Sequence, residues 1–197
     1  MNMEHFHSAS NLDAEFIALL VSESSGGVWS AVWKALSKEN ESVEESAIRY
    51  LTDPLNDLGV KNTVLVKKNG LAMGVMITYQ EASLSSDEIN NSPLPADLIE
   101  ALAPYRELRD PESLFIAEIC ILAQARGQGL GTKFLEYAKY LARKRGLPRV
   151  SLRVFSNNVS ASRLYERNGF NLVREVAVIE HPDININGSV QLMSCSV

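Results

Sequence analysis

The clearest chemical signal in this chain is one run, Gln124-Ala125-Arg126-Gly127-Gln128-Gly129-Leu130-Gly131. It follows an apolar stretch and opens a segment of helical periodicity. Glycines let a backbone approach a ligand closely. The start of a helix offers unpaired N–H groups and the positive end of a dipole, and together these suit a phosphate or pyrophosphate. As a bare pattern the run is also compatible with a tight turn. Two nucleotide motifs are excluded. There is no Gly-Lys-Ser/Thr. The Gly127-x-Gly129 pair lacks the third glycine of a dinucleotide fingerprint, and Gly146 to Pro148 make a turn where that fingerprint needs a strand-borne acid about 20 residues on. Charge agrees with an anionic ligand: residues 126–167 hold ten Lys/Arg against Glu136 and Glu166, a net +8 in a chain of net −5.

The elements that must position this loop are mixed. Residues 4–9 read as a short strand. A helix is expected from Leu12 to Ser22, with Asn11 or Asp13 as its cap. Two more follow at Val28–Leu36 and Val43–Leu51, the second closed ahead of Pro54. Thr63–Lys67 and Leu71–Tyr79 are β-rich, and Asn69-Gly70 between them predicts an antiparallel hairpin because both residues tolerate positive φ. Residues 80–113 carry four prolines and eight acids against Arg106 and Arg109. They read as an acidic insertion with one short helix near Ala96–Ala103. Leu114–Leu122 is apolar except for Glu118, which fits a strand buried on both faces.

Beyond the glycine run, Leu130, Phe134, Ala138, Leu141 and Ala142 fall at helical spacing. That helix reaches about Arg145 and ends at Gly146 and Pro148. Arg149–Phe155 alternates as a strand. A short helix over Ser160–Arg167 follows Asn157-Asn158 and stops at Gly169. Phe170–Ile179 and Ser189–Cys195 complete the strands. A chain of 197 residues forms one domain spanning 1–197, since a domain of ~150 residues already buries most of its unfolded surface.

In this order the sequence resembles the GCN5-related N-acetyltransferases (GNAT). The family's acyl-CoA signature, Gln/Arg-x-x-Gly-x-Gly/Ala, matches in two registers, Gln124-x-x-Gly127-x-Gly129 and Arg126-x-x-Gly129-x-Gly131. A second block, Asn158-Val-Ser-Ala161-Ser-Arg-Leu164-Tyr165-Glu-Arg-Asn-Gly169-Phe170, is similar to the family's Asn-x-x-Ala-x-x-Leu-Tyr-x-x-x-Gly-Phe. Close resemblance covers about Leu114 to Phe170. Many members have proline and an aromatic residue ahead of Arg-Gly, where this chain has Ala123 and Ala125, a difference that bears only on loop rigidity.

The resemblance implies a mixed α/β (α+β) fold with a splayed, mostly antiparallel central sheet and helices on both faces. Acetyl-CoA, with no metal, is the implied co-substrate, lying between two parted parallel strands, Leu114–Leu122 and Arg149–Phe155. Backbone N–H groups of Gln124, Arg126, Gly127, Gln128, Gly129, Leu130, Gly131 and Thr132 are expected to hold the pyrophosphate. Ile119, Cys120 and Ile121 are expected to pair with the pantetheine arm, with a bulge there aiming an N–H at the thioester carbonyl. Asn158 matches an asparagine that contacts that arm, and it also suits the N-cap of the following helix. Transfer is direct, so a neutral amine and a protonated leaving thiol are needed. Glu118 is the candidate base, because burial would raise its pKa; it could instead anchor a cationic acceptor. Tyr165 is the candidate acid, the alternative being a core tyrosine.

The amine is expected to belong to a small molecule. Acetylation of a protein lysine or N-terminus, and a non-catalytic acyl-CoA-binding module, are the other readings. Acid in the 80–113 segment, with Glu39, Glu41, Glu44 and Glu45, hints at a cationic acceptor. Nucleic acid is disfavoured by the net charge. Cys120 and Cys195 make neither a disulfide scaffold nor a zinc site, and Cys120 reads as a buried thiol. His5, His7 and His181 have no metal-ligand spacing with cysteine. The first residues lack a secretory pattern, and no apolar run approaches the ~18 residues of a membrane span. A cytoplasmic protein with no membrane partner is expected, and the resemblance implies a homodimer contact through the β-rich C-terminus from Phe170 onward.

Overall fold

A computed structural model describes residues 6–80 and 92–197. In chain order the elements are β1 (Phe6–Ser8), α1 (Ala14–Ser24), α2 (Val28–Leu36), α3 (Val43–Thr52), β2 (Thr63–Lys68) and β3 (Leu71–Tyr79). After the undescribed segment come α4 (Ala96–Ala101), α5 (Ala103–Glu107), β4 (Ser113–Ile121), α6 (Leu130–Lys144), β5 (Arg149–Phe155), α7 (Val159–Arg167), β6 (Asn171–Ala177) and β7 (Ser189–Ser196). The seven strands among the described residues form one sheet in the order β1-β2-β3-β4-β5-β7-β6. Only β4 and β5 run parallel; every other neighbouring pair is antiparallel.

The sheet splits where β4 and β5 meet. Ser113–Ile116 pair with Arg149–Leu152, and the pairing ends there. A register slip on the other side of β4 explains the parting. Ile77 faces Glu118 and Thr78 faces Ile116, so Ala117 is an extra residue. Such a bulge bends and twists its strand, and β4 turns from β5 at that point. The bulge thus sits at Ala117, upstream of the Ile119–Ile121 segment where the resemblance implied one. Below the split the strands are pinned. The buried Ser113 and Ser151 hydroxyls lie 2.5 Å apart, and Arg149 Nη2 meets Asp110 Oδ1 at 2.7 Å. Arg149 holds the Asp110 carboxyl below its usual pKa.

Helices cover both faces. On one, Phe134, Leu135, Ala138 and Ala142 of α6 pack on Leu114, Val150 and Leu152. On the other, Ile17 and Val21 of α1 and Leu51 of α3 pack on Leu65, Val75 and Ile77. The hairpin turn uses Asn69 and Gly70 at φ 52° and 78°, as the dipeptide predicts. Two expected boundaries move. The first helix starts at Ala14, behind a 3-10 turn in which Asp13 Oδ2 accepts from the Ser10 N–H and hydroxyl at 2.9 Å. The single helix expected near Ala96–Ala103 is two short ones, because Pro104 fits a first turn but not a helix interior. The expected strand over 4–9 falls partly outside the described residues, as does the 81–91 part of the 80–113 insertion.

Candidate active site

The split opens onto a cavity of about 530 Å³. Its walls come from the α1–α2 turn, α5 and the turn after it, the free ends of β4 and β5, and α7. Glu118, Ile119, Asn158 and Tyr165 all line it.

Glu118 is half-buried on the stretch of β4 beyond the bulge. The indole Nε1 of Trp29 donates to its Oε1 at 3.0 Å, and the Ser24 hydroxyl donates to Oε2 at 3.4 Å. Cys120 Sγ is 3.9 Å from the same oxygen. Burial pushes the Glu118 carboxyl up to about 7, with Trp29, Ser24, Arg153 and Cys120 holding it down against that push. The carboxyl therefore exchanges its proton near neutral pH.

Tyr165, on α7, closes the other side. Its ring packs 6.0 Å from Phe170. Burial, and then the nearby charges of Glu118 and Cys120, raise its phenol well above the usual range, so it keeps its proton. Asn158 caps α7, its side chain accepting from the Ala161 N–H at 3.2 Å, while still lining the cavity. Cys120 is a buried thiol whose Sγ lies 2.8 Å from Ser24 Oγ. Burial, then Glu118, keeps its pKa well above a thiol's usual value, so it is no nucleophile.

The glycine run leaves the end of β4 through a 3-10 turn, Ala123–Ala125, whose carbonyl at Ala123 takes the Arg126 N–H at 3.2 Å. The Arg126 side chain donates to the Ile121 carbonyl at 3.1 Å, tying loop to strand. Gly127 and Gly129 have φ of +73° and +77°, and a Cβ at either would meet nothing within 4 Å. The loop is thus a left-handed cradle facing open space. Lys133 N–H is bound to the Gly129 carbonyl, while the N–H groups of Leu130, Gly131 and Thr132 stand in the first turn of α6, where no intrahelical acceptor exists. Gly131 serves packing: a Cβ there would lie 2.7 Å from Leu164 Cδ2. Lys68 reaches the loop from β2, Nζ donating to Gln128 Oε1 at 3.2 Å.

Sequence reasoning did not single out Trp29, Ser24 or Lys68, or place Arg106, Arg109 and Arg153 in the cavity wall. Two of the acids it weighed as an acceptor signal are engaged elsewhere. Glu41 pairs with Arg49 at 2.7 Å, and Glu45 caps its own helix through the Ser42 N–H at 2.8 Å. Among the described residues no group of His, Cys, Asp and Glu could hold a metal ion. No described helix is long and apolar enough to cross a membrane.

A mixed sheet that splits beside a bulged strand, with a glycine cradle at the head of a helix, defines an acyl-CoA-type transferase fold. The chain belongs to the acetyltransferase (GNAT) family, whose model matches residues 30–170. A relative from Arabidopsis thaliana, GCN5-related N-acetyltransferase 6, chloroplastic, is 37% identical over 59 residues, covering 30% of this chain and 20% of that protein. The match thus spans a fifth of the length of that relative. An agmatine N-acetyltransferase structure (a mutant in its apo form) superposes with TM-score 0.69 at 15% identity, covering 98% of each chain. The polyamine N-acetyltransferase of Drosophila melanogaster, which forms N-acetylagmatine, gives TM-score 0.68 at 15% identity over 98% of this chain and 99% of that one.

Proposed function

We propose that this protein, acting as one domain, moves the acetyl group of acetyl-CoA directly to the primary amine of a small molecule. The observation that carries this is the pairing inside one cavity of a carboxyl with pKa about 7 and a phenol that stays protonated. When bound, acetyl-CoA supplies an acetyl group activated as a thioester. The cradle fits its pyrophosphate, because Gly127 and Gly129 leave open space where side chains would stand. The N–H groups from Gly127 to Thr132 point the positive end of α6 at it, with the backbone at Gln124 and Arg126 bordering the cradle. Ile119, Cys120 and Ile121 offer their backbone on the edge of β4 that β5 has left, and Asn158 stands across from them.

Glu118 accepts the proton of the incoming ammonium, directly or through a water, leaving a neutral nucleophile. As the amine nitrogen bonds to the acetyl carbon, the carbon–sulfur bond breaks, and Tyr165 gives its proton to the departing sulfur. Small-amine acceptors are named for the agmatine and polyamine enzymes of like fold, and the walled cavity supports the same scale here.

Calorimetric titration with acetyl-CoA, run beside Gly129→Glu and Gly129→Ala, tests the reading. Wild type binds in the micromolar range. Gly129→Glu loses binding through sterics and repulsion, and Gly129→Ala, strained but unobstructed, keeps most of it. A folded wild-type protein that binds no acetyl-CoA overturns the proposal. Binding without release of CoA thiol to any amine leaves a non-catalytic module in its place.

A further inference from the structure

Trp29, Tyr50, Tyr79, Tyr105, Phe115 and Phe155 line the cavity, one each from α2, α3, β3, α5, β4 and β5. They form three ring pairs. Trp29 and Tyr50 have centroids 5.8 Å apart, Tyr79 and Phe115 5.5 Å, and Tyr105 and Phe155 6.0 Å. Each pair is tilted or edge-on, the arrangement aromatic rings prefer. Every ring is thus braced by a neighbour, so little side-chain freedom is left to lose when a ligand arrives. All but Phe115 are only partly buried, which leaves surface for a ligand to cover.

We propose that the acceptor is an arylalkylamine, a primary amine joined by a short carbon link to a flat aromatic ring, and that Tyr50 and Tyr105 select it by receiving that ring. This rests on the transferase reading above and names its acceptor class. The reacting nitrogen must stand at Glu118. The Trp29 indole donates to that carboxylate at 3.0 Å, so the carbons next to the nitrogen pass beside the indole. Tyr50 stands one ring further on, where the far end of a short arylalkyl group arrives. This wall is separate from the cofactor side. Trp29 and Tyr50 pack with the cluster beneath α1 and α3, whereas Ile119, Ala161 and Tyr165 pack with the cluster beneath α6, the helix that the glycine cradle opens. Tyr105 and Phe155 add wall from α5 and β5. Braced rings receive a flat ring better than a flexible chain. Stacking adds to the burial of apolar area, and a chain has more rotors to freeze.

Four amines test the inference, read by CoA thiol release: phenethylamine, cyclohexylethylamine, ethylamine and spermidine. Wild type should favour phenethylamine over ethylamine by about 10²-fold in kcat/KM, the scale of burying one ring. Cyclohexylethylamine has the same carbons and link but no flat π face. Tyr50→Leu and Tyr105→Leu keep an apolar wall and remove a ring, so each should lower the phenethylamine-to-cyclohexylethylamine ratio by about 3–10-fold, the scale of one aromatic pair. The basicity of each amine is the same for every variant and drops out of that comparison. Tyr50→Phe, which keeps the ring, should keep the ratio. Calorimetric acetyl-CoA affinity shows that the fold and cradle survive in each variant. Spermidine or ethylamine matching phenethylamine in wild type overturns the inference and leaves the transferase reading intact. So does an unchanged ratio in both leucine variants, or acetyl-CoA binding with no turnover of phenethylamine. Absence of acetyl-CoA binding by wild type overturns the transferase reading itself.

Discussion

The indole of Trp29 donates to Glu118 Oε1 at 3.0 Å, joining α2 to the free stretch of β4 across 89 residues of sequence. With the Ser24 hydroxyl donating to Oε2 at 3.4 Å, both carboxylate oxygens are oriented by donors from the α1–α2 region. The indole contact also stabilises the ionised form of a group that burial drives toward protonation. Trp29 therefore orients the Glu118 carboxyl and biases its ionisation.

Trp29→Phe keeps an aromatic wall but removes the donor. The ionised carboxylate loses a stabilising partner, so the Glu118 pKa should rise above about 7, by roughly 1–2 units for one hydrogen bond to a charge. The acidic limb of the kcat/KM profile should move to higher pH by that amount. An acidic limb that stays in place would show that Glu118 is not the group whose ionisation the reaction needs.

Glu118→Gln separates stability from activity. The folded-state pKa of about 7 lies above the ordinary carboxyl value of 4.5, so the folded protein binds the extra proton between those values. Stability from this group is present at low pH and is lost as pH rises from about 4.5 to 7. The glutamine, neutral throughout, still accepts from Trp29 and escapes that loss. At pH 8 the variant should be more stable than wild type by about 1–2 kcal/mol, and near pH 4.5 the difference should vanish. Turnover should fall roughly 10²–10⁴-fold, the range for removing a general base. Denaturant titrations at both pH values, with CoA release beside them, check both halves. Equal stability gaps at the two pH values would contradict the burial argument.

Much of this site was legible because its signals are local. The hairpin follows from Asn69-Gly70, the cradle from glycines placed between a strand and a helical period, and Tyr165 from its block with Asn158 and Gly169. Glu118 announced itself as one charge in an apolar strand. What the sequence hid depends on tertiary contact. Trp29 and Ser24 reach Glu118 from either side of the α1–α2 turn, which also meets the C-terminal loop, where the Asn185 N–H donates to the Gly26 carbonyl at 2.9 Å. The bulge at Ala117 is a register slip against β3 and has no composition of its own. A count of acids is not local to the site, since Glu41 and Glu45 satisfy Arg49 and a helix cap, while Arg106 and Arg109, outnumbered in their own segment, line the cavity.

Tyr165→Phe removes only the hydroxyl. The ring contact with Phe170 persists, so the fold and acetyl-CoA affinity should stay within about 2-fold. With no proton donor for the leaving sulfur, kcat should fall by roughly 10²-fold. An alternative acyl donor with a more acidic thiol needs less protonation and should recover part of the loss. Full activity in the phenylalanine variant would return Tyr165 to a packing role.

Lys68 predicts a salt-dependent part of the cradle. Its ammonium meets Gln128 Oε1 at 3.2 Å, and Gln128 is held in turn to the Gln124 carbonyl at 3.1 Å. The cation therefore sits at the rim of the loop, where the charge of a pyrophosphate would add to its attraction. An exposed charge pair contributes little, about 0.2–1 kcal/mol, so Lys68→Met should weaken acetyl-CoA binding only about 2–5-fold at low ionic strength. Screening shortens the reach of exposed charges to about 3 Å at 1 M salt. The affinities of wild type and variant should therefore converge as salt is raised. Calorimetry over a salt series reads this directly. A gap that persists at high salt would mean that Lys68 shapes the loop through its bond to Gln128 rather than by its charge.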